Sequence, residues 1–316
     1  MRIALAQLAP VFLDRARTLA KVVAAIDEAA RGGAALVAFG EALVPGYPIW
    51  LERTEGARFD SATQKALHAR YLAEAVVPER DLGEVCAAAK RGSIEVLLGA
   101  MERASDRGGH SLYCASLWID ARGELVSTHR KLMPTYDERL SWAIGDGAGL
   151  VTRPVGGFTV GRLLCWENWM PLARAALSAQ GEDLHVAQWP GSVRLTGELT
   201  RFAAREGRSY VASASALLRP GDLPADVPER ARIVAAGEEF FQDGGSCVAG
   251  PDGAWVKEPL AREEAIVTAE LDPRRVLEER QNFDPVGHYS RPDVLRLVVD
   301  RRRQSVAEFH DGGAAR

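Results

Sequence analysis

Strand-like apolar runs and helical stretches alternate from the first residues to about residue 270, and no break in composition divides them. RIALAQL alternates as a buried strand does. Residues 15–31 then carry helical periodicity that stops at Gly32-Gly33, and ALVAF follows as the next strand. After a helical region containing Pro78 come three further strands, VLLGAMER, LYCASLWID and ELVSTHR, the last two joined by the turn ARG. FTVGRLL, DLHVAQW, YVASASAL, GSCVAG, AWVKEP and AIVTAEL continue the series. PLARAALSAQ and ELTRFAAREGRSY are interposed helical stretches, and PDG is a hairpin turn between Gly250 and Ala254. Many strands with helices between them predict one α/β domain with helices outside the sheets. It spans residues 1–300. RPGDLPADVPER reads as a loop insertion, and residues 301–316 read as a loosely held polar tail.

Composition excludes several functions. A net charge of −4 gives no electrostatic case for nucleic acid or an anionic membrane. The basic run Arg301-Arg302-Arg303 lies in the polar tail, as a solvated or partner-facing segment. The run IALAQLAPVFL resembles a short signal peptide, but Gln7 and Pro10 interrupt it and Asp14 and Arg15 follow at once. No stretch approaches the ~20 apolar residues of a membrane helix; a cytoplasmic protein is expected. Cys86, Cys114, Cys165 and Cys247 show neither CxxC spacing nor a histidine pattern for zinc, so they read as free thiols. Cys86 falls on a helical stretch, and Cys114 and Cys247 in strands; each is most simply a small buried hydrophobe. With no Walker loop and no GxGxxG, neither metal nor cofactor is expected.

Three runs carry complementary chemistry: FGEALVPGYPIW around Glu41, HRKLMPTYDERLSW around Lys131, and GRLLCWENWMPLAR around Cys165. Cys165 ends a strand-like run and precedes a helix beginning near Pro171. A nucleophile at such a bend stands out of the sheet plane, where backbone N–H groups can face a developing negative charge. An ordinary thiol, with a pKa of about 8.5, needs help to ionise at neutral pH. A lone cysteine is usually a core residue, yet the Trp, Glu and Asn packed beside this one are not what a core position requires. Glu41, leaving the sheet after ALVAF among apolar neighbours, suits acceptance of the thiol proton, although by residue type alone it would be a surface-loop glutamate. Lys131 follows ELVSTHR and precedes a proline turn; its ordinary reading is a solvated loop lysine. Glu138 is near enough in sequence to orient Lys131 or a water, or simply to pair with Arg139. A carboxylate, an ammonium and a thiol at strand ends, where α/β folds place their sites, can attack an unsaturated carbon–nitrogen bond by covalent catalysis.

At these residues the chain resembles the nitrilase branch of the carbon–nitrogen hydrolase superfamily. HRKLMPT, CWENWMPLAR and GHYSRPDVL carry the resemblance, which extends from RIALAQLAP to DPVGHYSRPDVLRL. Cysteine followed directly by Trp166 is similar to true nitrilases rather than to amidases or carbamoylases. The resemblance implies a four-layer α-β-β-α sandwich, with Cys165 as nucleophile, Glu41 as general base, Lys131 as stabiliser and Glu138 as a supporting glutamate. It also implies a small-molecule nitrile substrate and a homodimer or larger spiral assembly, to which the RRRQSVAEFH tail could contribute. The chain departs from the family at Gly40, where relatives usually have Pro and a looser backbone is expected here. It departs again at Ala143, in place of a Gly, and at Trp169, in place of the common Tyr.

Tyr47, Trp142, Trp166 and Trp189 lie beside the catalytic runs or at the end of DLHVAQW and are the candidates for the substrate wall; core packing explains Trp142 and Trp189 equally well. An aromatic wall suggests aryl or arylaliphatic nitriles. The rival readings are an amidase or carbamoylase using the same residues, a Cys–His hydrolase pairing Cys165 with His129, His185 or His288, and a filament-forming scaffold without activity.

Overall fold

The computed structural model of the chain describes residues 1–308. Its strands are β1 (Arg2–Gln7), β2 (Leu36–Phe39), β3 (Glu95–Arg103), β4 (Leu112–Ile119), β5 (Leu125–Arg130), β6 (Arg153–Val155), β7 (Phe158–Leu164), β8 (Leu184–Trp189), β9 (Tyr210–Ser215), β10 (Leu217–Leu218), β11 (Gln242–Ala249), β12 (Trp255–Ala261) and β13 (Ala265–Glu270). The α-helices are α1 (Arg15–Arg31), α2 (Trp50–Arg53), α3 (Ala62–Ala73), α4 (Pro78–Asp81), α5 (Gly83–Gly92), α6 (Pro171–Ser178), α7 (Val193–Gly207), α8 (Arg230–Ile233) and α9 (Pro273–Arg280). Among the described residues the strands form a six-stranded sheet in the order β13-β1-β2-β3-β4-β5 and a seven-stranded sheet in the order β10-β11-β9-β8-β7-β6, with β12 paired to β11.

The burial pattern explains why the strands read as continuous apolar runs: both faces of each central strand are covered. On β1, Ala4 and Ala6 pack with Leu19, Val22 and Ile26 of α1 and Val85 of α5. Ile3 and Leu5 point the other way, into a core shared with Trp118, Phe158, Val186, Tyr210 and Val248 between the two sheets. Beyond the second sheet, Leu163 packs on Ala173, Ala176 and Leu177 of α6, and Val211 and Ala249 pack on Ala203 and Ala204 of α7. The layers are therefore α-β-β-α in a single domain. Helix α1 starts where the Asp14 side chain accepts from Arg17 N, a cap that satisfies one of the donors a helix start leaves free.

Several features differ from the sequence reading. Helix α7 begins at Val193, ahead of the expected ELTRF stretch, and runs through Gly197. Strand β6 and helix α9 stand where no element is expected. The start of the tail is tethered: Arg303 donates to Asp146 Oδ1 at 3.0 Å and Thr128 O at 2.9 Å, and Gln304 N donates to Asp146 Oδ2 at 2.9 Å. Residues 309–316 of that tail lie outside the described residues. Among the described residues no helix is long and apolar enough to cross a membrane.

Strand direction converges on one end of the sandwich. β1, β2 and β3 are parallel, and two antiparallel steps through β4 bring β5 back to the same sense. β7, β8 and β9 are parallel in the other sheet. The sheets are stitched at this end: Gln188 Nε2, on β8, donates to Phe39 O at 2.8 Å and Leu97 O at 3.2 Å, and Glu41 N donates to Trp189 O at 2.9 Å. The ends of β2, β5 and β7, just before the candidate residues Glu41, Lys131 and Cys165, thus face one another.

Candidate active site

Strand β7 stops at Leu164, and Cys165 opens the 3₁₀ turn Cys165–Trp169 with φ at +45°. A non-glycine residue in the left-handed region costs about 1–3 kcal/mol, which surrounding contacts must offset. Similar strain stands beside the other reactive groups, at Ala42 (φ +51°) after Glu41 and at Tyr136 (φ +44°) before Glu138. The conformation at Cys165 lifts the thiol from the sheet and turns the Trp166 N–H toward it.

Glu167 clasps this turn to the strand end that carries Lys131. Its carboxylate accepts from Leu164 N at 2.8 Å, Leu132 N at 2.6 Å and His129 Nε2 at 3.0 Å. Burial opposes that charge, but His129 and the two backbone N–H groups outweigh burial and leave the carboxyl below its ordinary range. Asn168 supports the same turn by donating from Nδ2 to Cys165 O at 2.8 Å.

The reactive groups meet inside. Lys131 Nζ donates to Glu41 Oε1 at 3.0 Å and to Glu138 Oε2 at 2.7 Å. Glu138 also accepts from Thr135 N at 2.6 Å and from the Tyr47 hydroxyl at 2.9 Å. Ligand atoms of Glu41, Glu138 and Cys165 lie within 4.8 Å of one another, a spacing that could hold a metal ion; in this cluster the Lys131 ammonium is the cation between the two carboxylates. Glu41, Lys131 and Glu138 are each 1% exposed and Cys165 is 3% exposed.

Burial and charge set the protonation logic. Glu41 is pushed up to about 8, chiefly by desolvation, with Lys131 opposing and Glu138 adding to the rise. Its Oε2 has no protein partner, leaving a lone pair free for a proton. Burial also pushes the Cys165 thiol well above its usual value, against the pull of the Lys131 charge and the Trp166 N–H. Burial works against the Lys131 ammonium, but Glu41, Cys165 and Glu138 more than compensate and hold it well above the ordinary lysine value. A neutral thiol, a weakly acidic carboxyl and a fixed ammonium form an arrangement that can move a proton ahead of an attack by sulfur.

The structure places the sequence-derived residues unequally. Glu41, Lys131, Glu138 and Cys165 come together. Tyr47 and Trp142 line the cluster: their rings meet edge to face at 5.7 Å, and the Lys131 ammonium stands 5.2 Å from the Trp142 ring centre. Trp189 is fully buried beside Cys165, with its indole N–H donated to Ser213 Oγ at 3.1 Å. Trp166 is half exposed at the surface. Gly40 is wedged rather than loose, since a Cβ there would stand 2.6 Å from Ala216 N and 2.8 Å from Trp189 O. The histidines are engaged elsewhere: His129 with Glu167, His185 with Glu182 and Asn168, and His288, exposed, against the Tyr289 ring. Sequence reasoning missed the jobs of Glu167 and Asn168; their placement straight after Cys165 was the available signal.

Comparison with known proteins agrees with this geometry. A carbon–nitrogen hydrolase family model matches residues 2–281. The chain is 36% identical over 312 residues to "Nitrilase 2" from an unknown prokaryotic organism, covering 97% of this chain and 95% of that one. It is 36% identical to the aliphatic nitrilase of Sinorhizobium fredii, covering 96% and 97%. It is 33% identical to the bifunctional nitrilase/nitrile hydratase NIT4B of Nicotiana tabacum, covering 98% and 88%. In fold it is similar to the amidase of Nesterenkonia sp. AN1, with a TM-score of 0.63 at 22% identity over 89% of this chain and 97% of that one. By its family-model match and its identity to these relatives, the chain belongs to the carbon–nitrogen hydrolase family.

Proposed function

We propose that the protein is a nitrilase, converting an organic nitrile to its carboxylic acid and ammonia. The observation that carries this reading is the free Oε2 of Glu41 beside a buried neutral thiol and a fixed ammonium. Nitrilase relatives at 33–36% identity over nearly the whole chain support the choice of substrate.

Glu41 takes the Cys165 proton, and the sulfur bonds to the nitrile carbon as Glu41 returns the proton to the substrate nitrogen, giving a thioimidate. Lys131 and the Trp166 N–H stabilise the charge that develops during attack. Water then adds while Glu41 accepts its proton, and the protonated nitrogen leaves as ammonia from the tetrahedral centre. A second water releases the acid from the resulting thioester and restores the thiol. Expulsion of sulfur from the first tetrahedral centre instead gives an amide, and a barrier difference of about 1.4 kcal/mol shifts that partition tenfold. Tyr47 and Trp142, which line the Lys131–Glu138 pair, together with half-exposed Trp166 and with Trp189 buried beside Cys165, are the substrate wall of this reading, favouring aryl or arylaliphatic nitriles. The working form is a cytoplasmic homodimer or larger assembly.

The test is product analysis on a panel of nitriles and their matching amides, with Cys165→Ala as control. Acid and ammonia from nitriles, amides untouched and an inert variant are expected. Turnover of amides alone would move the enzyme to the amidase reading.

A further inference from the structure

Behind the nucleophile runs a buried chain that the mechanism above does not use. Asn168 Nδ2 donates to Cys165 O at 2.8 Å, Asn168 Oδ1 faces His185 Nε2 at 2.7 Å, and His185 Nδ1 faces Glu182 Oε1 at 2.8 Å. Asn168, His185 and Glu182 are 2%, 3% and 4% exposed.

The donors in this chain follow from chemistry. Cys165 O only accepts, so the Asn168 amide must present its N–H groups to it. Asn168 Oδ1 is then the atom facing His185, and it too only accepts, so His185 Nε2 must carry a proton. A further proton must lie between Nδ1 and Glu182 Oε1, because two lone pairs cannot face each other at 2.8 Å. The room for this pair is built in: Gly161 lies beside His185 on the neighbouring strand β7, and a Cβ there would run into the Glu182 carboxylate.

We propose that Asn168, His185 and Glu182 are positioning residues that anchor the strained Cys165 turn to strand β8 through this hydrogen-bonded relay. The anchor acts at the atom that needs it, the carbonyl of the one residue in the turn held at φ +45°. Neighbouring charged groups hold the backbone around the relay. From α6, Arg174 donates to Asn168 O and pairs with Glu206. From α9, Arg280 donates to Glu182 O at 2.6 Å. Asp183, raised to about 6 by burial, accepts from Thr159 N at 2.6 Å.

The inference rests on Cys165 being the reactive thiol, and the test separates it from the choice of substrate. Glu182→Leu, His185→Leu and Glu182→Gln are compared for kcat, KM, thermal midpoint and the rate at which iodoacetamide labels Cys165, followed by peptide mass with the partly exposed Cys86 as internal standard. A glutamine at 182 can turn its N–H toward His185 Nδ1, keep the proton on Nε2 and leave the relay intact. Glu182→Gln is therefore expected within about threefold of the parent. The leucine variants are expected to lose about 10- to 100-fold in kcat, the scale of a small misplacement of a reacting group, with little change in KM. Cys165 labelling should slow in the same order while Cys86 labelling holds. A folded Glu182→Gln as impaired as Glu182→Leu would overturn the relay, as would a folded His185→Leu with parental kcat and labelling. If no nitrile or amide is turned over, the labelling series still decides the relay while the nitrilase reading fails.

Discussion

Cys165 and Cys114 are both buried thiols close to Lys131, and the proposed mechanism uses only one. Burial raises both well above the ordinary thiol value, and both feel the charges of Lys131, Glu41 and Glu138. Cys114 sits inside strand β4, opposite Met101 in the ladder, with its carbonyl accepting from Lys131 N at 2.8 Å. Its side chain packs among Tyr71, Met101 and Trp142. Cys165 lies one residue beyond its strand, in a turn whose next N–H points at the sulfur. Burial near an ammonium therefore does not make a nucleophile. A strand interior commits its N–H groups to neighbouring strands, whereas a strained turn frees one to meet charge on the thiol.

The largest expected effect breaks that comparison at its root. Cys165→Ala should lower kcat by about 10⁴ or more, as loss of a covalent nucleophile does, while Cys114→Ala keeps kcat within a few-fold. The second variant should instead lose about 1 kcal/mol of stability, a typical cost of trimming a core side chain. Ammonia release and urea titration of both proteins measure the pair. Next in size, Lys131→Met should cost about 10²–10³ in kcat, the usual range for removing one charge-stabilising donor. Smaller still, Tyr47→Phe removes one hydroxyl donor from Glu138 and should cost about 10- to 100-fold, since a hydrogen bond to a charged group is worth about 1.5–3 kcal/mol.

The pH profile sharpens the same contrast. Glu41 must be ionised to accept the thiol proton, and burial holds it near 8. The logarithm of kcat/KM should therefore rise with pH and level off above about 8. An acid raised on folding also stabilises the fold below its unfolded value of 4.5 and loses that contribution as pH rises toward about 8. Activity and the Glu41 contribution to stability should thus run in opposite directions across this window. A profile flat from pH 6 to 9 would remove Glu41 as the base.

The α/β class was legible because the central strands are apolar on both faces, as at Ile3 and Leu5 against Ala4 and Ala6; the four-layer sandwich came only from the family resemblance. Glu41, Lys131 and Cys165 were legible because each falls at the end of such a run. Helix α9 was not: only Val276 on it is buried, so it has almost no apolar periodicity, although Asp272 ahead of Pro273, its side chain accepting from Arg274 N, was a usable start signal. Strand β6 is a three-residue edge strand containing Pro154, which edge positions tolerate and strand patterns hide. The Glu167 clasp and the His185 relay were hidden for another reason. They join residues 35 and 17 positions apart through side-chain hydrogen bonds that leave no period in the sequence.

The most direct test of the account is the site of the covalent intermediate. Parent enzyme and Cys114→Ala are mixed with a slowly hydrolysed aryl nitrile, quenched in acid within the first turnover and digested for peptide mass analysis. The account predicts an acyl or imidoyl adduct on the peptide carrying Cys165 in both proteins, with Cys114 unmodified in the parent. An adduct on Cys114, or full nitrile turnover by Cys165→Ala, would contradict it.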